Sequence, residues 1–376
     1  MGFDYADSIY GIVIKQIKIM LTPRQRILKA LAFEEADFVP YHIACDDQII
    51  SKIKPILEKK NLFSRFTNHL PFYNFEAGQT WISSHLYRDD FGTTWEILNG
   101  VPHLVEYPLK HASLKAYHLP EFTISGYSDD IRSFLLKNTD HFNLCGMAQG
   151  FFDRGWALRG FDNFMVDFIE NPGFVHQVFE MLTEYYIQLI DEISSFPFDG
   201  IRLGDDWGTQ RGMMMGKKRW QKFIKPGLKR IFEKARHKDL VVMVHSDGDI
   251  MDIIPDLIDI GVQILNPIQP EAMDIFKIKK LYGNVLCMNG GISSQFTLPW
   301  GSSTDVRLEV IACLKYLARG GGYIIGPTKS ILPETPKENI IALFETILDQ
   351  PTRPQNITDV FPDHVIDLEK VYNSFH

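Results

Sequence analysis

Short apolar runs alternate with amphipathic stretches along nearly the whole chain, and this alternation limits the fold more than any other feature. The runs are Val39–Ile43, Phe142–Ala148, Gly200–Leu203, Leu240–His245, Val262–Leu265, Val285–Met288 and Gly322–Ile325. Helical patterns lie at 23–34, 47–58, 173–196, 218–236, 249–260, 304–318 and 336–349. Within 173–196, Val175, Val178, Phe179 and Leu182 recur at helical spacing, followed by Tyr185, Tyr186 and Leu189. Strands alternating with helices pair in parallel, with the helices packed outside. The 376 residues suffice for one eight-stranded (β/α)8 barrel. Seven runs are one short of that number, so periodicity alone leaves a doubly wound open sheet as the alternative. Residues 91–107, FGTTWEILNGVPHLVEY, break the pattern and read as a β-hairpin turning at Asn99-Gly100, inserted after the first strand.

No linker rich in Pro, Gly or Ser, no charge run and no internal repeat divides the chain, which reads as a single domain. A helix start is written at Thr22-Pro23-Arg24-Gln25, with a capping residue, a proline at the first position and a glutamine that reaches back. Residues 1–20 therefore read as a peripheral extension, 21–350 as the barrel and 351–376 as a tail. The apolar segment 9–21 is interrupted by Lys15 and Lys18 and preceded by Asp4 and Asp7, unlike a membrane span or a secretory signal. Lys plus Arg number 39 against 47 Asp plus Glu, a net charge of −8, which argues against a nucleic-acid partner. Cys45, Cys145, Cys287 and Cys313 are widely spaced, as expected in a reducing cytoplasm.

In a parallel barrel the reacting groups gather where strands end. Those ends are His42 with Asp46 and Asp47; Gln149; Asp205-Asp206-Trp207; His245-Ser246-Asp247-Gly248-Asp249; Asn266 to Gln269; Asn289-Gly290-Gly291; and Gly326 to Lys329. His245 and Asp247 are alternate residues leaving a strand, so both can turn to one centre, and imidazole with carboxylate suits zinc. The competing use is local: Asp247 and Asp249 can form an Asx turn and cap the next helix. We assign Asp247 to the centre and Asp249 to the cap. Asp205 and Asp206 suit a general base or a site for NH-bearing groups, or else loop acids that accept backbone amides; one of the two faces the pocket. Trp207, with Met213 to Met215, offers an apolar wall. Arg154 and Arg159 suit either an anionic substrate or ordinary salt links. Gly320-Gly321-Gly322 precedes a strand and reads as a turn, and Cys287 as a small core residue.

These motifs have a familiar order. LTPRQRILKALAFEEADFVP (21–40), DDFGTTWE, RGWALRGFDNF, GDDWGTQRGMMM, VHSDGDIMDIIPDLIDIGVQILNPIQPEAMD, MNGGISSQFTLPWG, GGGYIIGP and LPETPKENIIALFETI follow one another over nearly all of the chain. The sequence resembles the uroporphyrinogen decarboxylase superfamily, particularly its decarboxylase-like and corrinoid methyltransferase branches. The resemblance implies a distorted (β/α)8 barrel with its pocket at the C-terminal strand ends. True uroporphyrinogen decarboxylases carry an Arg-Gln-Ala-Gly-Arg run after the first strand, whereas Tyr41 to Asp47 holds no arginine and is acidic. The methyltransferase branch binds zinc through a His-x-Cys pair and a later Cys. Here His245 is retained, Asp247 replaces the thiolate, and 326–329 lacks a Cys.

The resemblance thus implies a methyltransferase that depends on zinc or another divalent metal and acts on a small molecule with a corrinoid carried by a separate protein. His245 and Asp247 would hold the metal, and Asp205 or Asp206 would complete the site or act as base beside His245. His42, Gln149, Trp207, Asn266, Gln269 and Lys329 would shape the substrate pocket. The alternatives are a metal-independent decarboxylase of a carboxylated aromatic or tetrapyrrole-like compound, and a non-catalytic corrinoid- or tetrapyrrole-binding protein.

Overall fold

The computed structural model describes residues 20–351 except 46, 76–77, 122 and 148–149. The extension, the tail (apart from Met20 and Pro351), Asp46 and Gln149 therefore lie outside the described residues. The first helix, Pro23–Leu31, begins as its sequence dictates. Thr22 Oγ1 accepts the Gln25 amide at 3.2 Å, and Gln25 Oε1 accepts the Thr22 amide at 2.9 Å.

Seven parallel strands follow: β1 Phe72–Asn74, β2 Leu144–Gly146, β3 Gly200–Gly204, β4 Val241–His245, β5 Ile264–Ile268, β6 Cys287–Ile292 and β7 Tyr323–Pro327. They stand side by side in chain order, with helices between them. The run Val39–Ile43, expected as the first strand, makes only an isolated bridge between Tyr41 and Ile325. His42 N donates to Ile325 O and Ile325 N to Pro40 O, both at 2.9 Å. On its other side this segment meets residues 68–69: Asn68 accepts from Ile43 N and donates to Ile43 O, and His69 N donates to Tyr41 O at 3.1 Å. A single bridge is too little pairing to make this run a strand. Pro40 to His42 thus occupies the place beyond β7 in a barrel-like ring, and the strand not legible in the sequence is β1.

Side-chain alternation sorts the strands into layers. Ile201, Leu203, Val242, Val244 and Leu265 face outward into the large core beneath the helices Pro172–Ile193 and Lys225–Arg236. Leu144, Met243, Ile264, Cys287 and Ile324 face inward and pack with Ile27 and Ala30 of the first helix, which plugs the floor. Register places Gly204 beside His245 and His245 beside Asn266, so three strand ends meet in one inward row above that floor. The connection from β1 to β2 carries four antiparallel strands: Gln79–Trp81, Leu86–Asp89, Thr94–Leu98 and Val101–Glu106. Asn99 and Gly100 turn between the last two with φ of 52° and 80°, the left-handed pair of a tight hairpin. Arg154 joins this sheet to the barrel through Asp89 at 2.8 Å, and Arg159 pairs with Asp167 at 2.7 Å. Both arginines are therefore buried structural links rather than substrate contacts. No described helix is long and apolar enough to cross a membrane.

Candidate metal centre

β4 ends at His245 and the chain turns sharply through Ser246-Asp247-Gly248. Gly248 has φ +81°, and a Cβ there would come within 2.5 Å of the Gly208 backbone, so only glycine fits this crossing. The turn is tied at each step. Asp247 N donates to Asp206 Oδ1 at 2.8 Å, Gly248 N to Gln269 Oε1 at 2.9 Å, and Asp249 N to Thr209 O at 2.7 Å. Buried Ser246 Oγ accepts the Trp207 amide at 3.1 Å. A turn held this way fixes where the Asp247 carboxylate points.

Asp206, His245 and Asp247 each present a ligand atom within 4.8 Å of the others. His245 Nε2 lies 3.9 Å from Asp247 Oδ1, and Lys329 Nζ lies 2.7 Å from Asp247 Oδ2. The imidazole and the Asp247 carboxylate keep side-chain exposures of 20% and 21%, enough for a small ligand to reach them.

Behind the imidazole runs a chain of amides. Ile324 O can only accept, so Asn289 Nδ2 donates to it at 2.9 Å. Asn289 Oδ1 then accepts from Asn266 Nδ2 at 2.7 Å, which leaves Asn266 Oδ1 facing His245 Nδ1 at 2.6 Å. His245 therefore carries its proton on Nδ1 and turns the Nε2 lone pair toward the carboxylates. Burial, reinforced by the nearby Arg202 guanidinium, holds the imidazole pKa below its ordinary value, so the ring is neutral at neutral pH. Burial works to lower the Lys329 pKa, but the Asp247 hydrogen bond and charge, with Asp206, outweigh it and raise the net value.

The remaining expected residues take different places. Asp205 is fully buried and accepts Phe152 N at 2.9 Å, Asp153 N at 2.8 Å and Trp207 Nε1 at 2.6 Å. It caps the helix Phe151–Arg159 and stands outside the ligand cluster, so of the adjacent acids only Asp206 joins it. A buried carboxylate at the head of a helix satisfies amides that would otherwise be orphaned, which accounts for its direction. Trp207, expected as a pocket wall, is 0% exposed and packs edge-on against Trp220. Asn266 and Gln269, expected to contact substrate, are committed to His245 and to the Gly248 amide. Asp249 Oδ1 accepts the Met251 amide at 2.9 Å, at the start of the next helical turn. His42 packs against Phe72, and burial, then Arg202, lowers its pKa to about 4.

Asn289, one of the strand ends but given no role from the sequence, closes the amide chain. Two residues not singled out from the sequence also belong to this region. Asp153 lies against Asp206, and burial raises its pKa to about 7. Arg202 stands one inward layer below His245 on β3. The signal for Arg202 was present: a lone cation between two glycines inside an apolar run, Gly200-Ile201-Arg202-Leu203-Gly204.

The donor set fits a divalent ion. It offers one oriented neutral imidazole nitrogen and two carboxylates, with Lys329 as the competing cation on one of them. Ligands at about 2.1 Å from a tetrahedral zinc stand roughly 3.4 Å apart, so the cluster needs a contraction of about an ångström. No cysteine joins it among the described residues; Cys145, Cys287 and Cys313 are buried elsewhere.

A family model described as uroporphyrinogen decarboxylase (URO-D) matches residues 72–349. The chain belongs to the uroporphyrinogen decarboxylase family. The match opens at the first residue of β1 and spans all seven strands of the family barrel together with Asp206, His245 and Asp247. Among solved structures, a methyltransferase from Methanosarcina mazei superposes with a TM-score of 0.65 at 19% sequence identity, covering 87% of this chain and 98% of that one. That likeness extends the family assignment to the fold. No curated protein matches the sequence.

Proposed function

We propose that this protein is a metal-dependent methyltransferase of the uroporphyrinogen decarboxylase family, moving a methyl group between a small molecule and a corrinoid held on a separate protein. The observation that carries this reading is the convergence of Asp206, His245 and Asp247 within 4.8 Å at the C-terminal ends of β3 and β4. The family match and the likeness to a protein named as a methyltransferase support it. In this reading the ring is a distorted (β/α)8 barrel, with Pro40 to His42 in the eighth place and the antiparallel sheet as an insertion.

Zinc or a similar ion, held by His245 Nε2 and the carboxylates of Asp206 and Asp247, would supply Lewis acidity that lowers the pKa of a bound thiol or water. Carboxylates in place of thiolates make this a harder site than the Cys-based one of the methyltransferase branch. The protein's own groups do the rest. Asn266 and Asn289 keep the Nε2 lone pair aimed at the centre. Lys329 offsets the charge of Asp247. Asp153, with a pKa of about 7 beside Asp206, is placed to hold or release a proton near neutral pH. Asp205 serves as the anchor that sets Asp206 and Trp207 in place.

Purified protein loaded with zinc, mixed with methylcob(III)alamin and a simple thiol, tests the reading by the absorbance of cob(I)alamin. We expect turnover that a chelator and His245→Ala both abolish. Carbon dioxide release from aromatic carboxylic acids, indifferent to chelator and without any corrinoid reaction, would replace this reading with decarboxylation.

A further inference from the structure

Burying a guanidinium is costly unless a carboxylate accompanies it. The protein follows this rule wherever an arginine leaves the surface, with one exception. Among the described residues, Arg26, Arg154, Arg159 and Arg307 are the other arginines that are not exposed. They pair with Asp37, Asp89, Asp167 and Glu345. Arg202 forms no hydrogen bond or ion pair through its side chain with any described residue, and its Nε is buried without a partner.

Its position explains why no described carboxylate pairs with it. Arg202 pairs in register with Gly146 on one side and Met243 on the other, so it points into the barrel interior. Gly200 and Gly204, its inward neighbours on β3, have no side chains to fill the space around it. The guanidinium rests over the Phe72 ring at 5.3 Å. A Cβ added at Gly204 would lie 3.8 Å from Arg202 Nη1 and 3.9 Å from the His245 ring, so guanidinium and imidazole stand on either side of one empty glycine. His42, the other polar ring beside it, is neutral and carries its own unpartnered Nδ1. Asp206 and Asp247 act on Arg202 only at a distance, and each already has a closer partner, the Asp247 amide and Lys329.

We propose that Arg202 is the binding group for a carboxylate of the small-molecule substrate, gripped low in the barrel so that the far end of the molecule reaches Asp206, His245 and Asp247. A planar two-oxygen anion matches the guanidinium fork, and at Gly204 no side chain stands between the guanidinium and the His245 ring. The inference deepens the function proposed above by naming a substrate class, and it rests on that reading only for the identity of the group at the far end. It also accounts for an arginine on a barrel strand whose neighbours are glycine and apolar residues.

Carboxylate binding is testable without any metal. Chelator-treated wild-type protein is titrated calorimetrically with benzoate and 4-methoxybenzoate, and with the neutral amides of both. We expect the acids to bind and the amides to bind at least tenfold more weakly. Arg202→Met should weaken the acids at least tenfold and remove the preference over the amides, with Arg202→Lys in between. Because the guanidinium has no hydrogen bond or ion pair among the described residues, Arg202→Met should melt at or above the wild-type temperature, and its zinc content should match wild type. Neither acid binding to wild type, or equal binding to Arg202→Met, would overturn the proposal. A fall in the melting temperature of Arg202→Met would also overturn it by assigning the side chain a structural role. Acid binding through Arg202 in a protein that never takes up metal would leave this inference standing and remove the metal-centre reading alone.

Discussion

Replacing Asn266 by alanine probes the link between the amide chain and the ligand cluster. Asn266 Oδ1 holds His245 Nδ1 at 2.6 Å, and its Nδ2 satisfies Asn289 Oδ1 at 2.7 Å. Alanine removes both bonds. Asn289 is 1% exposed, so its carbonyl oxygen would be left without a partner, at a cost of about 1–3 kcal/mol in unfolding free energy. The larger consequence is for the imidazole, which loses the acceptor that fixes its tautomer and its ring plane. Removing such a support from a ligating histidine weakens metal binding by about 10- to 100-fold, roughly 1.4–2.7 kcal/mol. Asn266→Asp keeps an acceptor at the same place and should hold zinc within a few-fold of wild type. The assay is a competition titration of zinc against a chromophoric chelator, with denaturant melts recording stability separately. Zinc affinity of Asn266→Ala equal to wild type, or Asn266→Asp as weak as alanine, would refute the reasoning.

The adjacent acids should separate cleanly. Asp205→Ala orphans three N–H donors and should cost about 3–5 kcal/mol in a urea melt, whereas Asp206→Ala should cost less and lose metal. Equal stability losses would contradict the division of labour. A third prediction concerns pH. Burial, then Glu271, raises the pKa of Glu309 to about 8, against 4.5 for a free glutamate. The folded state therefore prefers the protonated form, and this contribution is complete below pH 4.5 and lost as pH rises to about 8. At about 1.4 kcal/mol per pH unit the loss amounts to a few kcal/mol. Glu309→Gln should match wild type near pH 4.5 and be the more stable of the two at pH 8; melts that track one another across this range would exclude a raised pKa.

The repeating alternation was readable because outward-facing strand residues are apolar whatever the barrel holds. Six of the seven runs contain or overlap the strands β2 to β7. The later runs stop short, since their strands continue through Asn266-Pro267 and Asn289-Gly290-Gly291, which interrupt the apolar run before Ile268 and Ile292. A rule that ends a strand where apolarity ends reads these as loops. Phe72–Asn74 is too short to show a period, and Tyr41 sits in a strand-like apolar run but makes only an isolated bridge. His245 and Asp247 were legible because alternate residues at a strand end share a direction. The separate fates of Asp205 and Asp206 were only half legible. Alternation says that they diverge, but which one meets the helix Phe151–Arg159 depends on a contact made 52 and 53 residues away in the chain. The sequence shows Arg202 only as a lone cation between glycines; that it lacks a carboxylate partner is a property of the folded interior.

Metal content of protein purified without a histidine tag tests the central claim most directly. After incubation with zinc and gel filtration, elemental analysis should find about one ion per chain in wild type and in Asp205→Asn, and essentially none in His245→Ala and Asp247→Ala. Wild type that emerges without metal, or His245→Ala and Asp247→Ala that retain as much as wild type, would contradict a metal centre at the ends of β3 and β4.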